Sequence, residues 1–366
     1  MIYLDHHSAT RPCSAALERM TPYLQEHWGA SFAPHRMGQE LIAALDSRYQ
    51  MLYDLVGAKP ADRCVFTSSG AEAVNQVFWS VFVERARKEG KTHLIVSNIE
   101  DAPTLQCAKR LEELGCTVKT APANAKGEID LEELAQLINP RTSLISVTMA
   151  HGLTGVIQPV DQIVRLAKEK KVLLHLDATY AVGKYPIEFP SDYLTFSGDR
   201  IHAVKGSGAL FAEEKAPLIP FILGGNEQTG LRGGSFDIPS FMALSAAAQQ
   251  ALLYLDTMAL EIVRLRDLFE AEVHGQILYK DALRLPNTSL IAFENVHQEA
   301  LLYFLNRKGV YATIGGPYAA HLSRIARDET AISFSLSRMT TEEEVLRGAR
   351  VINETLRELR AISERL

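Results

Sequence analysis

The chain has 366 residues, of which 47% are hydrophobic and 22% are charged. This length and composition suit a globular protein with one large and one smaller domain, and they exclude a disordered or fibrous chain. The net charge of −6 is mild and no long basic run occurs, so we do not expect nucleic-acid binding.

Short β-rich segments alternate with helical segments between about residues 60 and 212. This alternation predicts a mostly parallel sheet covered by helices, which is an α/β fold. The seven predicted strands are RCVFTS, THLIVSN, TVKTAP, SLISVTM, VLLHLD, DYLTFSG and GSGALFA. Together they predict one large domain built on a seven-stranded sheet.

A long helical pattern leads out of this region, beginning near Pro239 and ending at about residue 272. Beyond it, the strands SLIAFE and AISFSLS alternate with the helical segments HQEALLYFLNRKG and TTEEEVLRGARVINETLRELRAI. This second alternation predicts a small α+β domain in the last third of the chain.

The four cysteines and the N-terminal residues bear on the cellular compartment. Cys13, Cys64, Cys107 and Cys116 form no CxxC pair, so neither a disulfide framework nor a structural zinc site is expected. The start MIYLDHHSAT has no basic segment followed by an apolar one, and no uncharged apolar run reaches membrane-spanning length. We expect a cytoplasmic protein without a membrane partner or a metal site.

The segment FTSSGAEAVNQVFW passes from a strand into a helix and places Gly70 and Ala71 at the helix N-terminus. Free backbone amides and the helix dipole favour an anion such as phosphate there, although a strand-to-helix turn without a ligand has the same sequence. Asp177 ends the apolar strand VLLHLD, at the edge where open α/β sheets bind ligands. It either holds a protonated ring nitrogen or caps the following turn.

The segment TFSGDRIHAVKGSGALF carries three polar residues where a predicted strand ends, Ser197, Asp199 and Arg200. Two interpretations stay open for the adjacent acid and base. In the first, they form a structural ion pair. In the second, the guanidinium lines a pocket, where it binds the phosphate or carboxylate of an anion or itself occupies the pocket.

Six segments together resemble the class V aminotransferases, and specifically the NifS/IscS-type cysteine desulfurases. They are YLDHHSAT, FTSSGAEAVN, LHLDATYAVGKYPI, TFSGDRIHAVKGSGAL, GGNEQTGLRGGS and FSLSRMTTEEEV. The resemblance implies the pyridoxal-phosphate fold type I, a homodimer with active sites at the interface, and a small domain made from both chain ends. On that basis we place the large domain at residues 15–250 and the small domain at residues 1–14 and 251–366.

The resemblance also implies roles for several residues. Asp177 corresponds to the aspartate that pairs with the pyridine nitrogen of pyridoxal phosphate, and Ser197 to a phosphate-binding serine. Ser235 corresponds to a threonine that reaches the phosphate of the neighbouring subunit. Tyr180 replaces a glutamine, and its phenol either donates to the phenolic oxygen of the cofactor or fills space.

The chain departs from the family pattern at the positions that carry the chemistry. Arg200 stands at the position of the Schiff-base lysine, and a guanidinium stays protonated and cannot replace that amine. Asp101 stands at the position of the histidine that stacks on the cofactor ring, and Ser333 at that of the arginine that grips the substrate carboxylate. The stretch YATIGGPYAAHLSRIA, which corresponds to the loop of the catalytic cysteine, contains no cysteine.

Three hypotheses follow for the function. The first is a pseudoenzyme without desulfurase activity, acting as a dimeric scaffold or as a regulatory partner of an active paralogue or of a sulfur-transfer or iron–sulfur scaffold protein. The second is an enzyme of altered chemistry that binds pyridoxal or pyridoxamine phosphate non-covalently through Asp177, Ser197, Ser235 and the amides near Gly70. The third is residual cysteine desulfurase activity through another lysine.

Overall fold

A seven-stranded sheet forms the centre of the computed structural model, which describes residues 1–189, 191–316 and 329–363. The strands, in the spatial order β2-β8-β7-β6-β5-β3-β4, are β2 (Arg63–Thr67), β3 (His93–Ser97), β4 (Thr117–Ala121), β5 (Thr142–Thr148), β6 (Leu173–Asp177), β7 (Tyr193–Ser197) and β8 (Gly208–Ala212). β8 runs opposite to the other six strands, and its pairings with β2 and β7 are the antiparallel ones in this sheet. The predicted α/β fold with seven strands is confirmed.

Helices cover both faces of this sheet. They are α1 (Ser14–Gln25), α2 (Arg36–Val56), α3 (Gly70–Val81), α4 (Ala102–Glu113), α5 (Leu131–Leu137), α6 (Val160–Lys170) and α7 (Ile238–Leu253). Successive residues of a strand pack into different apolar layers, one on each face of the sheet. Phe66 and Ile95 lie in one layer, and Val65 and Leu94 lie in the other. This two-sided burial explains why the strands read as near-continuous apolar runs.

A second apolar core is built from the two ends of the chain. Ile2 and Leu4 pack with residues from Met258 to Leu356. Its elements are β1 (Ile2–Tyr3), α8 (Leu255–Thr257), α9 (Val263–Glu272), β9 (Gln276–Leu278), β10 (Thr288–Ala292), α10 (Gln298–Arg307), β11 (Val310–Tyr311), β12 (Ala331–Ser335) and α11 (Glu342–Ser363). The boundaries at residues 14 and 250 stay a prediction.

The helical pattern after Pro239 does not form one continuous helix, which corrects the sequence prediction. Tyr254 leaves the helical conformation (φ −100°, ψ 6°), and α7 is bent by 54° against the segment from Leu255 to Glu272. No glycine or proline marks the break, so the pattern does not reveal it. In the part of the chain that the structure describes, no single helix could cross a membrane, and this bent pair is the one that passes by length and composition.

Candidate functional site

The candidate residues meet at the carboxyl edge of the sheet, where β6 ends at Asp177 and β7 at Ser197. The N-terminus of α3 reaches the same edge. A Cβ atom on Gly70 would lie 3.2 Å from the Cβ of Ser197, and one on Gly208 would lie 2.7 Å from the Gly70 nitrogen. Glycine at 208 therefore lets β8 pack closely against the turn that begins α3.

The N-terminus of α3 is capped by a reciprocal pair of hydrogen bonds. The Ser69 hydroxyl accepts from the Glu72 amide at 3.2 Å, and the Glu72 carboxylate accepts from the Ser68 amide at 2.8 Å. This capping box satisfies two amides of the turn. The amides of Gly70 and Ala71 belong to the first turn, for which the helix supplies no acceptor, and they are the ones that could face an anion.

Ser197, Asp199 and Arg200 form one local network. The Ser197 hydroxyl donates to Asp199 Oδ1 at 2.7 Å, and Arg200 Nη1 donates to Asp199 Oδ2 at 2.5 Å. Both side chains of the ion pair are less than one-fifth exposed. The ion pair, one of the two interpretations left open by the sequence, is present, and its carboxylate also accepts from the hydroxyl that was expected to bind phosphate.

Asp177 is buried at the end of β6, and its Oδ1 accepts from the Thr179 amide at 2.9 Å. This contact is the turn cap that one of the two interpretations predicts. Burial raises the pKa of Asp177 to about 6, and the Arg200 charge opposes that rise. The carboxylate is therefore held in a setting where a protonated ring nitrogen would stabilise its ionised form.

Asp101 and Tyr180 are hydrogen-bonded to each other across the site. The Tyr180 hydroxyl donates to the Asp101 carboxylate. The phenol ring lies so close over Gly152 that a Cβ atom there would be 2.5 Å from Tyr180 Cζ. Burial and the Asp101 charge raise the pKa of Tyr180, so the phenol stays protonated. The Tyr180 ring therefore fills the space over Gly152, and its hydroxyl proton is engaged in the hydrogen bond to Asp101.

Glu100 is a buried acid beside this pair to which sequence reasoning assigned no role. Its carboxylate accepts from the Ser97 hydroxyl and, at 2.8 Å, from the Thr148 amide. Burial raises the pKa of Glu100 to about 8, and the charges of Asp177 and Asp101 add to the rise. An acidic residue three positions after an apolar strand was the available signal, but only its burial shows that its environment favours the protonated carboxyl.

Ser333 and Ser235 lie outside this network. Ser333 is fully buried on β12, where its hydroxyl donates to the Leu153 carbonyl at 2.7 Å. Ser235 is exposed and lines a groove of about 970 Å³ that also contains Trp28 and Phe32. Much of the stretch expected to replace the catalytic-cysteine loop falls at 317–328, outside the described residues.

Comparison with known proteins assigns the chain to a family. The class-V aminotransferase family profile matches residues 2–347. The chain belongs to the class-V aminotransferases. It is 32% identical to a cysteine desulfurase of Nostoc sp., with 99% of this chain and 94% of that protein aligned, and 32% identical to the cysteine desulfurase NifS of Azotobacter vinelandii with the same coverage. A solved NifS-like protein superposes with a TM-score of 0.90 at 29% identity, covering 98% of this chain and all of the other.

Pyridoxal phosphate is the cofactor that the resemblance implies for a class-V aminotransferase, and position 200 offers it no amine. The side chain after β7 is a guanidinium paired with Asp199, and the nearby Ser197 hydroxyl donates to the same carboxylate. The Ser197 hydroxyl is therefore already engaged within the chain. The parts that do suit the cofactor are Asp177 and the first-turn amides of α3. Among the described residues, no group of three or more His, Cys, Asp or Glu side chains could hold a metal ion.

Proposed function

We propose that this class-V aminotransferase lacks cysteine desulfurase activity and acts as a homodimeric scaffold or regulatory partner of an active paralogue or of a sulfur-transfer or iron–sulfur scaffold protein. The observation that carries the proposal is the Arg200–Asp199 ion pair at the position of the covalent lysine. A guanidinium is protonated at every physiological pH and its nitrogen lone pairs are delocalised, so it cannot attack a carbonyl carbon.

The other groups required for the reaction are absent or already bonded within the chain. Asp101 accepts from Tyr180 and cannot stack on an aromatic ring as a histidine does. The Ser333 hydroxyl is buried and donates to a backbone carbonyl, so it offers no bidentate clamp for a carboxylate. Covalent attachment, proton transfer and substrate capture depend on different side chains, and losing all three leaves no route to desulfuration.

The cysteines support the same conclusion, because a sulfur acceptor must ionise to a thiolate and be reachable. Burial raises the pKa of Cys107 to about 12 and also raises those of Cys64 and Cys116. Cys13 is 5% exposed. Burial thus disfavours the thiolate at Cys64, Cys107 and Cys116, and the Cys13 side chain is barely accessible to a partner.

The activity test uses the purified chain with saturating pyridoxal phosphate and free cysteine. We expect no sulfide above the protein-free control and no cofactor–peptide linkage after borohydride reduction, because no amine stands at position 200. A cysteine desulfurase assayed in parallel controls for the detection of sulfide. Sulfide release in proportion to the amount of this chain would refute the proposal.

The dimer part of the proposal is supported by an apolar surface on α1, α2 and the segment between them. Trp28 and Phe32 are 69% and 75% exposed, and both line the groove that contains Ser235. Further exposed apolar side chains of the same segments are Leu17, Leu24, Met37 and Ile42. Large exposed apolar patches mark association sites, and the resemblance implies that Ser235 faces a second copy.

Replacing Trp28 by glutamate is expected to weaken dimerisation by about 30-fold, the effect of losing about 2 kcal/mol at an aromatic anchor. Analytical ultracentrifugation over a concentration series measures the change. The matched control is Leu260→Glu, because Leu260 is also 74% exposed but lies outside this surface. A wild-type chain that is monomeric at micromolar concentration, or equal effects of both substitutions, would count against the dimer.

A second candidate function is the non-covalent use of pyridoxal or pyridoxamine phosphate, which the burial of Asp177 beside the α3 N-terminus favours. Asp177 would hold the ring nitrogen, and the amides of Gly70 and Ala71 would hold the phosphate. When bound, the cofactor supplies an electron-withdrawing ring. Tight one-to-one uptake without a linkage after borohydride reduction supports this candidate, and no uptake at saturating cofactor eliminates it.

A further inference from the structure

A small cavity next to Arg200 is lined by three cationic side chains, Lys184, Arg200 and Arg338. Its volume of about 10 Å³ is room for one water-sized particle. Among the described residues that line it, none is an aspartate or glutamate; the others are Thr10, Gly183, Ile201, His202, Met258, Leu336 and Ser337. The cavity is therefore surrounded by positive charge and has no acidic residue in its wall.

The Lys184 amine is buried and donates to few hydrogen-bond acceptors. Lys184 is 8% exposed, and its Nζ donates to the Arg200 carbonyl at 3.1 Å. An ammonium group has three donors, and this contact uses one of them. Burial, followed by the charges of Arg200 and Arg338, lowers the pKa of Lys184 to about 7, and Asp199 opposes this only weakly. That aspartate is already bonded to Arg200 and Ser197.

The two guanidiniums differ in their partners at the cavity. Arg200 is paired with Asp199, whereas Arg338 lies over the Tyr254 ring at 5.6 Å, contacts the Ile201 carbonyl at 3.5 Å and is hydrogen-bonded to the Cys13 side chain. The Nε atom of Arg200 is buried without a hydrogen-bond acceptor among the described residues. Burial lowers the pKa of His202 to about 3, so the imidazole adds no charge of its own.

We propose that this cavity binds one small inorganic anion of the size of chloride, between Lys184, Arg200 and Arg338. The small volume favours a single monatomic ion over a larger ligand. A water molecule also fits, but it would supply no negative charge to Arg338, and Lys184 would then favour its neutral form. The bound anion would hold the turn that carries Arg200 against Lys184 and so stabilise the ion pair at the end of β7.

The direct test is a crystal of the wild-type protein in which bromide replaces chloride. Anomalous scattering at the bromine edge is expected to give a peak in this cavity. Density without an anomalous signal there would identify the occupant as water and overturn the proposal. This test does not depend on catalytic activity or on any bound cofactor.

The solution test follows thermal unfolding while chloride replaces gluconate at constant sodium concentration. The Tm of the wild type is expected to rise by about 2–4 °C once chloride reaches about 10–100 times its Kd. In Lys184→Met the rise should be lost, whereas the control Lys88→Met, which alters an exposed lysine paired with Glu84, should keep it. Equal rises in wild type and Lys184→Met would overturn the proposal, and if that variant does not fold the bromide crystal decides.

Discussion

Replacing Arg200 by lysine is expected to give a chain that attaches pyridoxal phosphate covalently but still releases no sulfide from cysteine. An amine at the end of β7 would lie on the same sheet edge as Asp177 and the α3 N-terminus, which suit the two ends of the cofactor. It can lose its proton where a guanidinium cannot. Desulfuration should remain absent because Asp101 and Ser333 are unchanged.

The measurement is the mass of the peptide that contains position 200 after borohydride reduction, together with visible absorbance and a sulfide assay. The matched control is Arg232→Lys, which introduces an amine near α3, where Arg232 now pairs with Glu72. We expect a linkage in the first variant and none in the control. Sulfide production by Arg200→Lys would mean that this position alone blocks the reaction, and absence of a linkage would mean that the pocket does not admit the cofactor.

Replacing Arg284 by methionine is expected to lower the free energy of unfolding by about 3–5 kcal/mol, because it leaves a buried carboxylate without its charged partner. Arg284 donates to both oxygens of Glu270, at 2.7 Å and 3.2 Å, and Ser289 donates to the same carboxylate at 2.7 Å. The two charged side chains are only 5% and 9% exposed. The backbone of Arg284 also forms an isolated β-bridge with Val156, which joins the last third of the chain to the segment after β5.

Chemical denaturation measures this loss, and the double variant Arg284→Met/Glu270→Leu should recover most of it because no buried charge is left unpaired. The control is Arg264→Met. Arg264 pairs with Glu261 and Glu342 at the surface, where all three side chains are about half exposed, so stability should change far less than in Arg284→Met. A loss for Arg284→Met as small as that of the control would show that the pair contributes little.

Part of the candidate site follows from local sequence. Asp199 and Arg200 are neighbours in the chain, so their ion pair was one of two open interpretations, and the structure forms it. The Ser69 and Glu72 capping box also depends on residues three apart. Contacts between residues this close in sequence can be predicted without knowing the fold, because the local backbone alone brings the groups within reach.

Other features of the site depend on distant segments. Tyr180 and Asp101 are 79 residues apart and Ser333 and Leu153 are 180 apart, yet each pair shares a hydrogen bond. The break at Tyr254 is likewise not marked by any glycine or proline. The Tyr180–Asp101 bond joins the segments that follow β6 and β3, and the Ser333–Leu153 bond joins β12 of the smaller sheet to the segment after β5, so no local pattern predicts either contact.

The sequence by itself determined the seven-stranded sheet, the family and the arginine at position 200. Those depend on residue identity and on the spacing of apolar runs. Only the tertiary structure decided that burial raises the pKa of Glu100 and that Lys184 lies with two arginines around a cavity. Proton affinity and uncompensated charge depend on burial and on neighbours from remote segments, which the order of residues does not specify.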